Sequence, residues 1–201
     1  MGTSLYIENY CIIESGKILL DGVEVFSSDA DSFADFSKEA LRHFTIQYPK
    51  FFKMDHLSKL AFLGSELLLK DLSGKENTAL LFANASSSLD TDINYQSSIS
   101  DKENYFPSPA VFVYTLPNIC LGEISIRHQL KTENSFFIFG AFNPEFMFGY
   151  AENLIQTQKA QRVLCGWTEL LGDEYKAFLY VVSKDGKIAH TIENLKALYE
   201  N

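Results

Sequence analysis

Residues 134–155, NSFFIFGAFNPEFMFGYAENLI, run from an aromatic apolar stretch through Gly-Ala-Phe-Asn-Pro into a helical repeat. Asn143 before Pro144 reads as an N-cap followed by a first-turn proline, so a helix should open here, just after the strand 135–141. A turn of this kind is a frequent seat for a nucleophile. It exposes one side chain beside a helix N-terminus, with its free N–H groups and positive dipole end. Here the exposed place holds Ala141, which offers no chemistry.

Outward from that turn, strands alternate with helices. SLYIENYCII (4–13) and KILLDG (17–22) alternate around Ser15-Gly16 as a strand pair, and TALLFANAS (78–86) is a short apolar run of buried-strand type. AQRVLCGWTEL (160–170) and EYKAFLYVVSKDG (174–186) complete the strands. Helical spacing is clearest in KMDHLSKLAFLGSELLLK (53–70), where Leu57, Leu60, Ala61, Gly64, Leu67 and Leu68 share a face, and in the segment opened by Asn143. Residues 27–35, 86–104 and 184–187 read as loops, the second long enough to carry a helical turn or two. The interleaving predicts an α/β domain around one mixed or mostly parallel sheet.

Composition narrows the function classes. The chain has 201 residues, 46% of them hydrophobic, and a net charge of -9, with no basic cluster longer than a pair. It can bury a core, and it lacks the electrostatic footprint of a nucleic-acid or anionic-membrane binder. Cys11, Cys120 and Cys165 are too few and scattered for a disulfide framework or a metal site, which fits a reducing cytoplasm. MGTSLYIENY shows no export signal, and Tyr6 stands where myristoylation of Gly2 would want a small hydroxyl residue. No apolar run approaches the roughly 18–20 residues of a membrane span. No metal and no cofactor is expected. Ser86-Ser87-Ser88 with Asp90 and Asp92 reads as a turn, and Cys165 as an inert core residue.

PSPAVFVYTLPNICLGEISIRHQL, then the strand, the Asn-Pro turn, the helix and RVLCGWTE, together resemble the N-terminal half of a β-ketoacyl synthase of thiolase-like fold. From Ser108 to Glu169 the spacing matches without a gap, and KMD at 53–55 resembles the family's Arg-Met-Asp. The resemblance covers most of the chain and thins before residue 48. It implies an α/β, thiolase-like half, one mixed sheet flanked by helices, with residues 1–201 forming a single ketosynthase-like N-terminal domain.

On this register the family's nucleophilic Cys falls on Ala141, and a slip of one residue would put Phe142 there. Neither side chain forms a thioester. The family's His pair and Lys belong to a C-terminal half beyond this sequence, while His43, His56, His128 and His190 lie outside its catalytic positions. The bend Lys131-Thr132-Glu133-Asn134 departs from the family's Gly-Pro type.

The resemblance therefore implies a non-catalytic subunit like a chain-length factor. Such a subunit pairs with a full-length β-ketoacyl-ACP synthase and shapes its acyl tunnel in fatty-acid, polyketide or aryl-polyene-type biosynthesis, meeting acyl carrier protein indirectly. The family dimerises through the nucleophile strand, which makes residues 135–140, with Phe137, the expected interface. Val111 would reach the partner's acyl pocket, with Phe112 and Tyr114 beside it. Phe139 and Phe142, with Phe136, Phe146 and Phe148, line either that channel or the core. The missing half would leave apolar helices uncovered, and the 53–70 helix, apolar on several sides, points to a covering chain. Two rivals stand beside this reading: half of a split ketosynthase or other acyl enzyme, and a self-dimerising acyl-binding scaffold.

Overall fold

Tight turns at Ser15-Gly16 and Asp21-Gly22, all four residues at positive φ, fold residues 6–27 into a three-stranded meander. The computed structural model describes residues 4–72, 74–103 and 105–200, so Gly2 lies outside the described residues. The strands are β1 (Tyr6–Glu14), β2 (Lys17–Leu20), β3 (Val23–Ser27), β4 (Thr78–Asn84), β5 (Asn134–Ile138), β6 (Arg162–Leu171), β7 (Glu174–Ser183) and β8 (Ile188–Ala189). The helices are α1 (Phe33–His43), α2 (His56–Leu69), α3 (Leu89–Ser100), α4 (Pro109–Phe112), α5 (Ile119–His128), α6 (Pro144–Gln156) and α7 (Ile192–Glu200). A 3-10 turn at Val113–Thr115 extends α4.

One mixed sheet runs in the order β3-β2-β1-β7-β6-β4-β5, with β8 beside the start of β1. The pairs β4·β5 and β4·β6 are parallel and the others antiparallel. Several boundaries differ from the sequence reading. Residues 27–35 hold the end of β3 and the start of α1, whose N-cap Ser32 accepts from the Asp35 N–H. Residues 86–104 hold α3, three turns long. The strand expected over 135–141 stops at Ile138, and the one expected over 174–186 stops at Ser183.

Alternation along β6 divides the core. Leu164 and Leu170 face α1, α2 and α5, while Val163, Cys165 and Trp167 face α6 and α7. On the first face α2 is buried almost all round, from Leu57 to Leu69. Its covers are the chain's own: the sheet beneath, with α1 and α5 alongside. The expectation that this helix needs a partner chain is therefore corrected. At Gly64 a Cβ would stand 2.8 Å from Leu179 Cδ1, so glycine sets how closely α2 approaches β7.

One buried charge joins this layer. Glu66 accepts from Arg127 Nε at 2.9 Å and lies 3.2 Å from His128 Nε2, fastening α2 to the end of α5. Burial pushes the carboxyl up, but these donors outweigh it and hold Glu66 at about 2. On the other face His190 is 5% exposed and stacks on Phe148 at 5.0 Å. Neither of its ring nitrogens has a hydrogen-bond partner.

Burial drives His190 down to about 4 from 6.5. The unfolded chain therefore takes up the proton first, and the stability is present above pH 6.5 and lost as pH falls toward 4. A depression of this size corresponds to up to about 3 kcal/mol. His190→Phe is expected to flatten the decline in melting temperature between pH 6.5 and 4.5, above the range where Glu66 titrates. An unchanged slope would count against burial of a neutral imidazole.

Candidate functional site

The turn at the end of β5 is held from both sides. Phe139 donates its N–H to the Asn84 carbonyl at 3.0 Å, and Asn143 Oδ1 accepts from the Phe146 N–H at 2.9 Å, capping α6. Between these anchors Gly140 and Ala141 are exposed. Phe142 turns inward, stacked on Tyr199 of α7 at 4.5 Å and edge-on to Phe178 at 5.7 Å. Nearby, the β6 end is tied to the β4 loop, because Glu169 Oε2 accepts from the N–H groups of Ala85 at 2.6 Å and Ser86 at 3.2 Å.

No histidine serves this turn. His128 lies against Glu66, His190 against Phe148, His43 packs tilted against Phe26, and His56 Nδ1 is 3.5 Å from Asp90 Oδ2. The three thiols are buried, and burial pushes Cys165 up to about 12. An inert thiol is the consequence.

The aromatic candidates separate by face. Phe137 and Phe139 stack on each other and pack against Phe146 of α6, so both point into the core. By strand alternation Phe137 thus turns toward the chain's own α6. Hydrogen bonds give the same parity. The Phe139 N–H and the Glu133 carbonyl both bond to β4, so odd-numbered residues of β5 face β4. The N–H and C=O groups of Asn134, Phe136 and Ile138 therefore point to the open edge of the sheet. Ile138 is 49% exposed there.

Exposed apolar side chains also lie on the elements that precede β5 in the chain. Phe112, Val113, Leu116 and Ile126 are all at least half exposed, on α4, the turn after it and α5. Val113, Leu116 and Ile126 escaped the sequence reading, and Ile138 is covered there only as part of the strand 135–140. The available signal was α5 itself, where Ile119, Leu121, Ile124 and Ile126 leave no polar face of ordinary width.

Val111 lines a cleft of about 320 Å³ with Met54, Asp55, Lys59 and Tyr114. Tyr114 is buried, donating its hydroxyl to Glu123 Oε1 at 3.0 Å, while Lys50 pairs with Glu123 Oε2 at 2.8 Å. Burial, with the adjacent Glu123 carboxylate, pushes the Tyr114 hydroxyl up. Asp55 Oδ1 caps α2 through the Ser58 N–H, and its Oδ2 accepts from Thr91 Oγ1. The bend 131–134 is closed by Thr132 Oγ1 on the Thr78 carbonyl, a local substitute for the Gly-Pro type.

No protein-family model matches the chain, and no curated protein matches its sequence. Solved structures do match its fold. The ishigamide ketosynthase/chain length factor is 15% identical with a TM-score of 0.69, over 90% of this chain and 62% of that one. A ketosynthase in complex with its chain length factor from Xenorhabdus doucetiae is 14% identical with a TM-score of 0.62, over 98% of this chain and 90% of that one. A type II polyketide synthase acyl-carrier protein in complex with its ketosynthase is 12% identical with a TM-score of 0.64, over 91% and 63%. The chain thus spans under two thirds of the first and third, and nine tenths of the second. At these identities the likeness is one of fold: a mixed sheet between helical layers, as in these thiolase-like, ketosynthase-type structures. Among the described residues no single helix is long and apolar enough to cross a membrane.

Proposed function

We propose that this chain is a non-catalytic, chain-length-factor-like subunit that pairs with an active β-ketoacyl-ACP synthase and helps wall its acyl tunnel. The observation that carries the reading is the turn at Ala141: anchored at both ends, exposed at the nucleophile's place, and furnished with a methyl group. The open edge of β5 supports pairing, since such an edge invites another strand. The neighbours include ketosynthases with chain length factors, and a similar pairing is carried over here as part of the proposal. Acyl carrier protein then meets the assembly through the active subunit.

Co-expression with a full-length ketosynthase encoded beside it, followed by affinity purification of one tagged partner, is the direct test. A stoichiometric complex is expected, and persistent separation of the two chains would overturn the pairing.

Catalysis by the chain alone is expected to be absent, with neither condensation of acyl-thioesters nor decarboxylation of malonyl-thioester. Ala141→Cys should not rescue it, because a thiol without a neighbouring base stays largely protonated near neutral pH. Reproducible turnover by the unmodified chain above a heat-inactivated control would contradict this assignment.

A further inference from the structure

We propose that residues 190–200 form a hinged cover behind the turn at Ala141, and that proton uptake by His190 opens it. The proposal concerns this chain by itself and stands apart from the pairing reading.

His190 is the joint between β8 and α7. Its N–H donates to the Leu5 carbonyl at 3.0 Å, and its ring is closed in by Phe148 of α6 at 5.0 Å and Tyr180 of β7 at 6.0 Å. No neighbouring element supplies a counter-charge. On α6, Glu145 pairs with Lys196 of α7 at 2.6 Å, and Glu152 stands one turn beyond Phe148. On β7, burial keeps the Tyr180 hydroxyl protonated. Tyr6 and Glu8 lie at the start of β1, with Glu8 held by Arg162 at 2.7 Å, and before β8 Lys187 is held by Asp21 at 2.8 Å. On α7 itself Glu193 is exposed. Among the described residues none of these carboxylates forms an ion pair with His190, whose two ring nitrogens are buried without a partner. A proton there would be a charge in an apolar enclosure, relieved when the ring reaches water.

The joint and the helix move together, because Asn194 Nδ2 of α7 donates to the Ala189 carbonyl at 2.8 Å. Farther along α7, Leu195 is fully buried, and Tyr199 stacks on Phe142 at 4.5 Å. Phe142 is in turn edge-on to Trp167 at 6.1 Å. A nine-residue helix with one buried residue costs less to release than the sheet, whose strands β4, β6 and β7 are buried almost throughout. Its release takes Tyr199 off Phe142 and so removes the inner wall of the turn, while Asn143 still caps α6.

Hydrogen exchange of the purified chain at pH 7 and pH 5, read by mass spectrometry and corrected for intrinsic rates, tests this. His190 titrates at about 4 when enclosed and 6.5 when free, so acid favours the open form. Opening of residues 190–200 should therefore rise at least about tenfold between the two pH values, while β4 and β6 stay protected. Trp167, the only tryptophan, should shift its emission to the red over the same interval. His190→Phe keeps an apolar ring against Phe148 and should abolish both responses. Unchanged opening of 190–200, an unmoved Trp167 emission, the same response in a folded His190→Phe chain, or opening of β4 and β6 in step with 190–200 would each overturn the proposal. If His190→Phe fails to fold, His190→Leu repeats the comparison, and the contrast between 190–200 and β4 in the unmodified chain still decides. No result here bears on whether the chain pairs with a ketosynthase.

Discussion

Ile138→Lys is expected to leave the chain folded and to abolish its association with a ketosynthase partner, whereas Phe137→Lys should unfold it. The two residues are adjacent on β5 and face opposite ways. Ile138 is half exposed, and its N–H and C=O lie on the side away from β4. A lysine there keeps every internal hydrogen bond and sets an ammonium in the path of an approaching strand, the device by which natural edge strands refuse partners. Phe137 instead packs on Phe146 at 4.7 Å and Tyr150 at 5.4 Å. A fully buried Phe costs about 3–5 kcal/mol to remove; Phe137 is partly buried, so its packing loss is smaller, and the buried charge adds to it. Size-exclusion chromatography of co-expressed chains, run beside thermal melts, separates these outcomes. Retention of the complex by a folded Ile138→Lys chain would show that β5 is not the pairing strand.

Val111→Trp should shorten the product of the paired ketosynthase. Val111 lies on the cleft wall, partly exposed, so a larger ring has space to enter rather than a packed core to disrupt. Each methylene buried in an apolar tunnel contributes about 0.8 kcal/mol, so obstructing two should disfavour the longer chain by about 1.6 kcal/mol, roughly fifteenfold. Tyr114→Ala is unsuitable as the lengthening counterpart, because it would remove a buried ring and take away the hydroxyl that serves Glu123. Mass spectrometry of carrier-bound products reads the effect. An unchanged length distribution from a stable Val111→Trp complex would remove Val111 from the tunnel wall.

Much of this organisation is legible in local sequence. Asn143-Pro144 fixes the start of α6, because a side-chain acceptor and a ring-locked φ act within one turn. Apolar runs mark β4, β6 and β7, because burial on both faces leaves no room for polar residues. Position 141 is a matter of identity alone: no arrangement of neighbours gives alanine a thiol. The resemblance in spacing, from Ser108 to Glu169, carried the fold class as well.

Other features needed the third dimension. α1 begins inside a stretch of Ser and Asp, whose local preference is for turns. The helix is secured by the Ser32 cap and by Phe33 and Phe36 reaching the core against Tyr175, distant in sequence. The all-round apolar surface of α2 looked like a demand for a second chain, and only the packing of α1, α5 and the sheet around it reveals that one chain suffices. Likewise the alternation of β5 is plain in NSFFI, but its phase is not. Which of Phe137 and Ile138 faces outward was decided when α6 closed over the odd-numbered side chains and β4 took the odd-numbered hydrogen bonds. Sequence determines the period of a strand through its own geometry, while the partner elements choose which face is buried.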